Sequence, residues 1–291
     1  MDASTAAAPP GRRSTPQVIA LVREAAARLS LSVEILDPEY GHLFRLHDRQ
    51  RSVTLLGGRS PLNDAVAARI CEDKYYTAMV LQAAGIRTTA GVRCLKPNHF
   101  QLEDYRDRAG REPGRAFARE RGFPVIVKPN RLSHGRSIFL TYDQAEMDRA
   151  IDLVWRHDYL ALVQEPVPGI DLRIDILDDE FLAGYYRYPS ESTDREHEVD
   201  LLNLAQGARA EVLEEVSPEW LDRCRSIGRI MNLRHYGIDF KLPAADAPPE
   251  RVTVIEVNSS PLLVQLYKLG YVEEAVSGQT RVLRAIMNRT P

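Results

Sequence analysis

The sequence is poor in cysteine and in long apolar runs, and each shortage excludes a class of protein. The three cysteines, Cys71, Cys94 and Cys224, lie far apart, and none has a CxxC partner or a histidine at metal-ligand spacing. Neither a disulfide framework nor a zinc site is therefore predicted, which favours a reducing, cytoplasmic location. No stretch reaches the roughly 18 apolar residues that a membrane span requires.

The chain also lacks an excess of charge of either sign and has little lysine. Its 38 basic and 41 acidic residues give a formal net charge of −3, so no global field attracts nucleic acid or anionic lipid. Thirty-three of the basic residues are arginines. The other five are lysines: Lys74, Lys96, Lys128, Lys241 and Lys268. Either coding bias explains this shortage, or lysine is kept where a compact ammonium group is needed.

The rest of the composition predicts a folded chain with large cores. It has 291 residues, 44% of them apolar, which is enough for two domains or for one domain with subdomains. Residues 1–16 lack an apolar signal core and are predicted to form a disordered tail. A helix from Gln17 and three strands predict a short N-terminal α/β unit over 17–72. A helical stretch spans 61–85, with Asn63 or Asp64 as its cap.

Strands and helices alternate along the rest of the chain, which predicts an α/β or α+β fold. Strands are expected at about 87–94, 124–128, 137–141, 160–165, 236–241 and 252–257, and helices near 113–121, 143–157, 218–233 and 272–288. Two hydrophobic runs flank the turn at 178–180, which indicates a hairpin. The charged segment 191–200 is expected to be an exposed loop.

A buried strand is predicted to deliver Lys128 to a polar loop that contains His134 and Gly135. This would bring an ammonium group next to a loop of phosphate size. A lone lysine at a strand end is more often a solvated surface residue, and a lone loop histidine is more often simply solvated.

A second strand ends in Gln164-Glu165-Pro166-Val167. We expect its backbone to be exposed at a sheet edge, where it could contact an adenine, with Glu165 free for a ribose hydroxyl. A plain strand that ends at a proline is an equally favoured interpretation.

The strongest signal is a set of oxygen donors on two strands near the C-terminus. Alternation sends Glu256 and Asn258 to one face, and Asp239 joins them if the two strands are neighbours. Such donors suit Mg²⁺, which keeps several waters and is usually completed by substrate phosphates. The alternative is that Asp239 and Glu256 form surface ion pairs with arginines.

In order and residue type these motifs resemble the ATP-grasp superfamily, in the branch of glutathione synthetases, cyanophycin synthetases, ribosomal-protein-S6-modifying enzymes and D-alanine–D-alanine ligases. The resemblance covers about residues 60–291, through the segments EDKYYT, PVIVKP, NRLSHGRSI, VQEPVPGIDLRI, YYRYP, NLAQG, GIDF and EVNSSP. It implies an ATP-grasp domain over 73–291, with a small ATP-clamping subdomain at about 87–163 and a large metal-binding subdomain at about 164–291.

The resemblance also implies a role for each candidate residue. Those that would contact ATP are Lys74, Lys128, His134, Gly135, Gln164, Glu165, Val167 and Lys241. Those that would hold one or two Mg²⁺ ions, or Mn²⁺, are Asp239, Glu256 and Asn258. Those that would act on the transferred phosphoryl group or the oxyanion are Arg173, Arg187 and Asn203. For Arg187 the alternative is a strand-surface arginine, and for Asn203 a helix cap or turn residue.

The implied reaction is ATP-dependent activation of a carboxylate to an acyl phosphate, followed by attack of an amine to give an amide, ADP and phosphate. Phosphoryl transfer needs mainly positioning and charge cancellation, which lysine, arginine and Mg²⁺ supply. The expected partners are a small carboxylate and a small amine, such as amino acids or short peptides, and further copies of the chain in a dimer or tetramer. A kinase on the same scaffold and a non-catalytic nucleotide-binding module are the alternatives.

Two departures from the family pattern affect the loops. The phosphate loop has a single glycine, Gly135, where several are usual, so fewer backbone N–H groups can approach the phosphates. Leu262 and Leu263 follow EVNSSP, where relatives usually have glycine after the proline. The family pattern therefore does not predict the form of the acceptor pocket. Neither departure changes the expected metal ligands.

Overall fold

The computed structural model of the chain describes residues 17–59, 61–99, 109–131, 137–188, 209–261 and 263–289. Within these ranges, helices accompany three sheets whose paired strands are all antiparallel. The predicted mixed α/β class is therefore confirmed. The predicted tail 1–16 and the charged loop 191–200 lie outside the described residues.

The N-terminal unit consists of one helix and a three-stranded sheet. Its elements are α1 (Gln17–Ala27), β1 (Ser32–Ile35), β2 (Leu43–His47) and β3 (Ser52–Leu56), with the sheet order β1-β2-β3. The apolar face of α1 packs against α8 (Val272–Met287), and both helices contribute to one hydrophobic core with β2 and β3. The unit thus shares its core with the C-terminal helices and has no separate one.

The helical stretch predicted over 61–85 is two helices, α2 (Ala65–Cys71) and α3 (Lys74–Ala83). Asp64 caps α2, and Asp73 caps α3 by accepting a hydrogen bond from the backbone N of Tyr76. A single continuous helix is wrong because the Asp73 side chain satisfies the free N–H of a new first turn. Lys74 is therefore the first residue of a helix.

The second sheet contains β4 (Gly91–Leu95), β5 (Val125–Pro129), β6 (Phe139–Thr141) and β7 (Leu160–Gln164) in the order β4-β7-β5-β6. Helices α4 (Glu112–Arg121) and α5 (Gln144–Val154) pack on it around a common core. Because β7 pairs with β4 on one side and β5 on the other, the expectation that its end lies at a sheet edge is wrong.

The third sheet has five strands and supports most of the candidate site. Its strands are β8 (Ile170–Leu177), β9 (Glu180–Tyr188), β10 (Arg209–Leu213), β11 (His235–Leu242) and β12 (Thr253–Asn258), in the order β10-β9-β8-β11-β12. The predicted hairpin is β8–β9. The strand β10 and the short helix α7 (Val264–Lys268) were not predicted from the sequence.

One face of this third sheet is apolar and the other carries charge. Alternate residues of β8 and β11, such as Ile174 and Ile238, lie in the same hydrophobic core as residues of α6 (Pro218–Met231). Because side chains alternate along a strand, the residues between them face the other way. This second face holds the candidate site. In the part of the chain that the structure describes, no helix is both long and apolar enough to cross a membrane.

Candidate active site

The three predicted metal ligands lie together on the charged face of the third sheet. Strands β11 and β12 are antiparallel neighbours, with Asp239 opposite Glu256 and Gly237 opposite Asn258. The amide of Asn258 donates a hydrogen bond through Nδ2 to Oδ2 of Asp239 at 3.1 Å. The condition on which the metal hypothesis depended, that the two strands pair, is therefore met.

Asp239 is buried and held by two arginines. Arg173 Nη1 donates to its Oδ2, and Arg187 Nη2 donates to its Oδ1, both at 2.7 Å. Burial alone would raise the pKa of Asp239, but the charges and hydrogen bonds of the two guanidinium groups outweigh it and lower the pKa below its usual value. Asp239 does form ion pairs with arginines, as the alternative interpretation expected. That interpretation is wrong about their location, because these pairs are buried and not at the surface.

The ion pairs continue on both sides of Asp239. Arg173 Nε donates to Oδ1 of Asp175 at 2.5 Å, and Lys241 Nζ pairs with Oδ2 of Asp171. Arg187 Nη2 also lies 3.8 Å from Oδ1 of Asp171. Sequence reasoning missed Asp171 and Asp175. Their signal was available, since acids two residues either side of Arg173 in an apolar strand share its face.

Two lysines, Lys74 and Lys128, lie near Glu256. Lys74 Nζ lies 3.7 Å from Oε1 of Glu256. Burial and the nearby Lys74 lower the pKa of Lys128 from 10.5 to about 8, although Glu256 and Asp239 act in the opposite direction. Two ammonium groups that repel each other suit an anionic ligand such as a phosphate chain.

Asn130 explains how these two lysines meet. It follows β5 directly, and its backbone O accepts a hydrogen bond from the backbone N of Lys74 at 3.2 Å. Its side-chain Oδ1 accepts one from the backbone N of Tyr75 at 3.0 Å. These two bonds fasten the first turn of α3 to the end of the strand that carries Lys128. Asn130 is fully buried and was not predicted from the sequence.

The residues predicted at the adenine and ribose are partly engaged within the protein. The Glu165 carboxylate accepts a hydrogen bond from the backbone N of Ala90 at 3.0 Å, so Glu165 is not free as expected. This bond ties the start of β4 to the end of β7. Gln164 is buried and Val167 half-buried. The assignment of these residues to the nucleotide stays a prediction, and His134, Gly135 and Asn203 lie outside the described residues.

The donor set fits a magnesium ion by its chemistry. Among the residues that the structure describes, no three His, Cys, Asp or Glu side chains form a metal cluster. The candidate set is instead two carboxylates and one amide, all hard oxygen donors of the kind that Mg²⁺ takes. Because both oxygens of Asp239 already accept from guanidinium groups, a cation bound there would compete with Arg173 and Arg187.

The chain matches a known protein family. Residues 72–276 match the RimK-like ATP-grasp domain, which is most of the chain. The chain belongs to this ATP-grasp family. The predicted ATP-grasp fold is thereby confirmed, and all the candidate site residues lie within the matched range.

Named relatives of this ATP-grasp chain are ligases. It is 30% identical over 130 residues to a D-alanine–D-alanine ligase of Nitrosospira multiformis, across 45% of this chain and 38% of the relative. It is 28% identical over 207 residues to the alpha-aminoadipate–LysW ligase LysX of Sulfurisphaera tokodaii, across 69% and 63%. The chain thus spans less than two thirds of the length of these relatives.

A solved structure shows the same fold. The D-alanine–D-alanine ligase of Bacillus anthracis, crystallised with ATP, superposes with a TM-score of 0.54 and 18% identity, over 77% of this chain and 67% of the other.

Proposed function

We propose that this ATP-grasp chain is an ATP- and Mg²⁺-dependent carboxylate–amine ligase that forms an amide through an acyl phosphate and releases ADP and phosphate. One observation carries the proposal. Two lysines and the set Asp239, Glu256 and Asn258 meet around the Lys74–Glu256 contact of 3.7 Å, inside an ATP-grasp domain. Phosphoryl transfer uses basic side chains and a metal ion to neutralise the phosphates. This site supplies two lysines and a set of candidate metal ligands.

The two lysines would bind the phosphate chain. Lys128 has a pKa of about 8 and is therefore mostly protonated at neutral pH. An anion beside it would stabilise the ammonium form and remove the repulsion from Lys74. The lysines thus favour a bound triphosphate over a neutral ligand.

Asp239, Glu256 and Asn258 would hold the metal ion, and when bound it would neutralise charge on the phosphates. The two arginines keep Asp239 ionised at neutral pH, and a bound cation would compete with them for its oxygens. The amide of Asn258 donates to Asp239 through its nitrogen, which leaves the amide oxygen for another partner.

Arg187 is the better candidate for contact with the reacting groups. Its side chain is 21% exposed, against 9% for Arg173. Its buried Nε has no hydrogen-bond partner among the described residues. A guanidinium group with an unused donor suits the carboxylate or the transferred phosphoryl group. We propose that Arg187 neutralises charge on these groups, together with Asn203.

An amino acid or a short peptide is the proposed substrate class, and a cytoplasmic dimer or tetramer the proposed state. The relatives are named as a D-alanine–D-alanine ligase and an alpha-aminoadipate–LysW ligase, which supports amino-acid substrates.

The test is the requirement for an amine. Purified protein is incubated with Mg·ATP and a panel of amino acids and short peptides, with hydroxylamine as a general amine that traps acyl phosphates as hydroxamates. We expect ADP, phosphate and a hydroxamate or amide only when a carboxylate and an amine are both present. Glu256→Gln, which removes a proposed metal ligand at little cost in stability, is the inactive control. A stable phosphorylated product formed without amine would contradict the proposal and support a kinase, and nucleotide binding without any turnover would support a regulatory module.

A further inference from the structure

The guanidinium group of Arg173 is held from two opposite sides. Its Nε donates to Oδ1 of Asp175 at 2.5 Å, and its Nη1 donates to Oδ2 of Asp239 at 2.7 Å. Asp175 is buried, with 3% of its surface exposed. In the strand register, Asp239 faces Arg173, and Gly237 faces Asp175. The guanidinium group therefore lies across two strands, between the two acids.

Gly237 leaves the space that this position needs. A Cβ atom at residue 237 would lie 2.1 Å from Arg173 Nη2 and 2.1 Å from Asp175 Oδ1. Contacts that short do not occur, so any larger residue would displace the pair. Glycine is needed here because two side chains approach the strand backbone closely, and not because the chain turns. An acid at 175 and a glycine at 237 are thus two separate requirements of one guanidinium position.

The charges in this cluster balance only if Asp175 is included. Arg173 and Arg187 carry two positive charges, and Asp239 supplies one negative charge. Asp175 supplies the second, on the side of Arg173 away from Arg187. It therefore gives Arg173 a fixed partner that does not depend on Asp239. A cation that binds Asp239 would repel both arginines, but Arg173 would stay anchored through its Nε.

We propose that Asp175 is a positioning residue: it fixes the Arg173 guanidinium group over Gly237, and Arg173 in turn fixes the orientation of the Asp239 carboxylate. The inference rests on the proposed function, in which Asp239 serves the metal–nucleotide complex. Partners of a metal ligand that lie one step away commonly set its orientation, and their loss costs about 10- to 100-fold in metal affinity or activity.

The first experiment is steady-state kinetics of Asp175→Asn. We expect kcat to fall on the order of 10- to 100-fold, because Asp239 loses its fixed orientation. We expect KM for ATP to change by less than about threefold, because the lysines are untouched. The matched control is Asp148→Asn on α5, which alters another carboxylate that pairs with an arginine, since Asp148 accepts a hydrogen bond from Nη2 of Arg115 on α4 at 2.6 Å. The control should keep the wild-type kcat.

Gly237→Ala tests the same contact from the neighbouring strand. It should lower kcat to a similar extent, because its methyl group displaces the same guanidinium group. Since both changes release one group, the double variant should be no slower than the slower single variant, within about threefold. Multiplying losses in the double variant, or a wild-type kcat in either single variant, would overturn the proposal. If Asp175→Asn does not fold, Gly237→Ala decides alone.

A spectroscopic readout separates this inference from the ligase proposal. In protein labelled with ¹⁵N-arginine, the Nε–H of Arg173 should give a slowly exchanging signal, assigned by its loss in Arg173→Lys. Asp175→Asn and Gly237→Ala should move or remove it, and Asp148→Asn should leave it in place. An unmoved signal in both variants overturns the positioning role. A signal that responds as expected in a protein without ligase turnover contradicts the proposed function and leaves the Asp175–Arg173 contact established.

Discussion

The two halves of the candidate site are built in opposite ways. On the face of the third sheet, Arg173, Arg187 and Lys241 are matched by Asp171, Asp175 and Asp239, so that three positive and three negative charges balance. Beside β5, burial and the nearby Lys74 lower the pKa of Lys128, and the acids Glu256 and Asp239 offset only part of this effect. The charges of the first half are balanced by its own acids, whereas in the second half a bound anion would offset the repulsion between the two lysines.

This difference separates stability from binding. Buried charges are tolerated when each has a hydrogen-bonded partner, and they are costly when one partner is removed. The sheet face therefore stabilises the folded chain only as an intact set. The lysine pair costs folding free energy in the absence of a ligand, and the same cost favours binding of a phosphate chain.

The largest expected effect comes from removing the central acid of the balanced half. Asp239→Asn leaves two buried guanidinium groups with too little negative charge, and we expect a loss of about 3–5 kcal/mol in the free energy of unfolding. Glu256→Gln is the matched control in the other half, because its lysine partner is 3.7 Å away, and it should cost less than about 1 kcal/mol. Urea unfolding at pH 7 measures both. Equal losses would show that the two halves do not differ.

The next effect has the opposite sign. Lys128→Met should raise the free energy of unfolding by up to about 3 kcal/mol at pH 7, because the folded state holds this ammonium with a pKa of about 8 in place of 10.5. The cost is present below pH 8 and fades as the pH rises towards 10.5. The same variant should lose Mg·ATP binding, measured by calorimetry. The exposed Lys268 supplies the control, and Lys268→Met should change neither quantity. A destabilised Lys128→Met variant would contradict this view of the lysine pair.

The sequence alone predicts the parts of the site that follow from the alternation of side chains along a strand. Glu256 and Asn258 are two apart in a strand, and alternation alone puts them on one face. The same rule, applied to β8, would have found Asp171 and Asp175. It could not reveal that Arg187 reaches Asp239, because that contact depends on the pairing of β8 with β11, which is distant in sequence from the β8–β9 hairpin.

The fold was predictable where elements are long and regular, and less so where they are short. The α2–α3 boundary was missed because the helical pattern continues through Glu72 and Asp73, and only the cap hydrogen bonds reveal the break. The strand β10 has five residues, and its place depends on pairing with β9. Asn130 gave no signal because its role is to join two elements that are distant in sequence.

An effect confined to acid pH, and nearly absent at pH 7, is expected from His235, which is the first residue of β11 and is an exception to the balanced half. It is buried, both ring nitrogens lack a partner among the described residues, and burial lowers its pKa to about 4. The folded state keeps it neutral, whereas the unfolded chain takes up a proton below about pH 6.5. Stability should therefore fall as the pH falls from 6.5 to 4, by up to about 3 kcal/mol at pH 4 and by almost nothing at pH 7.

The carboxylates titrate in the same range, so the comparison with His235→Phe isolates this contribution. The difference in unfolding free energy between wild type and variant should grow as the pH falls from 6.5 to 4. A constant difference would mean that His235 has a proton or a partner in the folded state.

The smallest effect is expected at an ion pair on the surface, which tests whether burial is what makes the balanced half important. Arg28 and Glu273 form two hydrogen bonds at 2.8 and 2.7 Å, between the end of α1 and the start of α8. Their hydrogen-bond distances are similar to those of the buried pairs, but their side chains are 42% and 73% exposed. Water and salt screen such pairs, so Glu273→Gln should leave the urea midpoint unchanged within error and insensitive to added salt. A loss comparable to that of Asp239→Asn would mean that geometry, and not burial, determines what an arginine–carboxylate pair contributes to this fold.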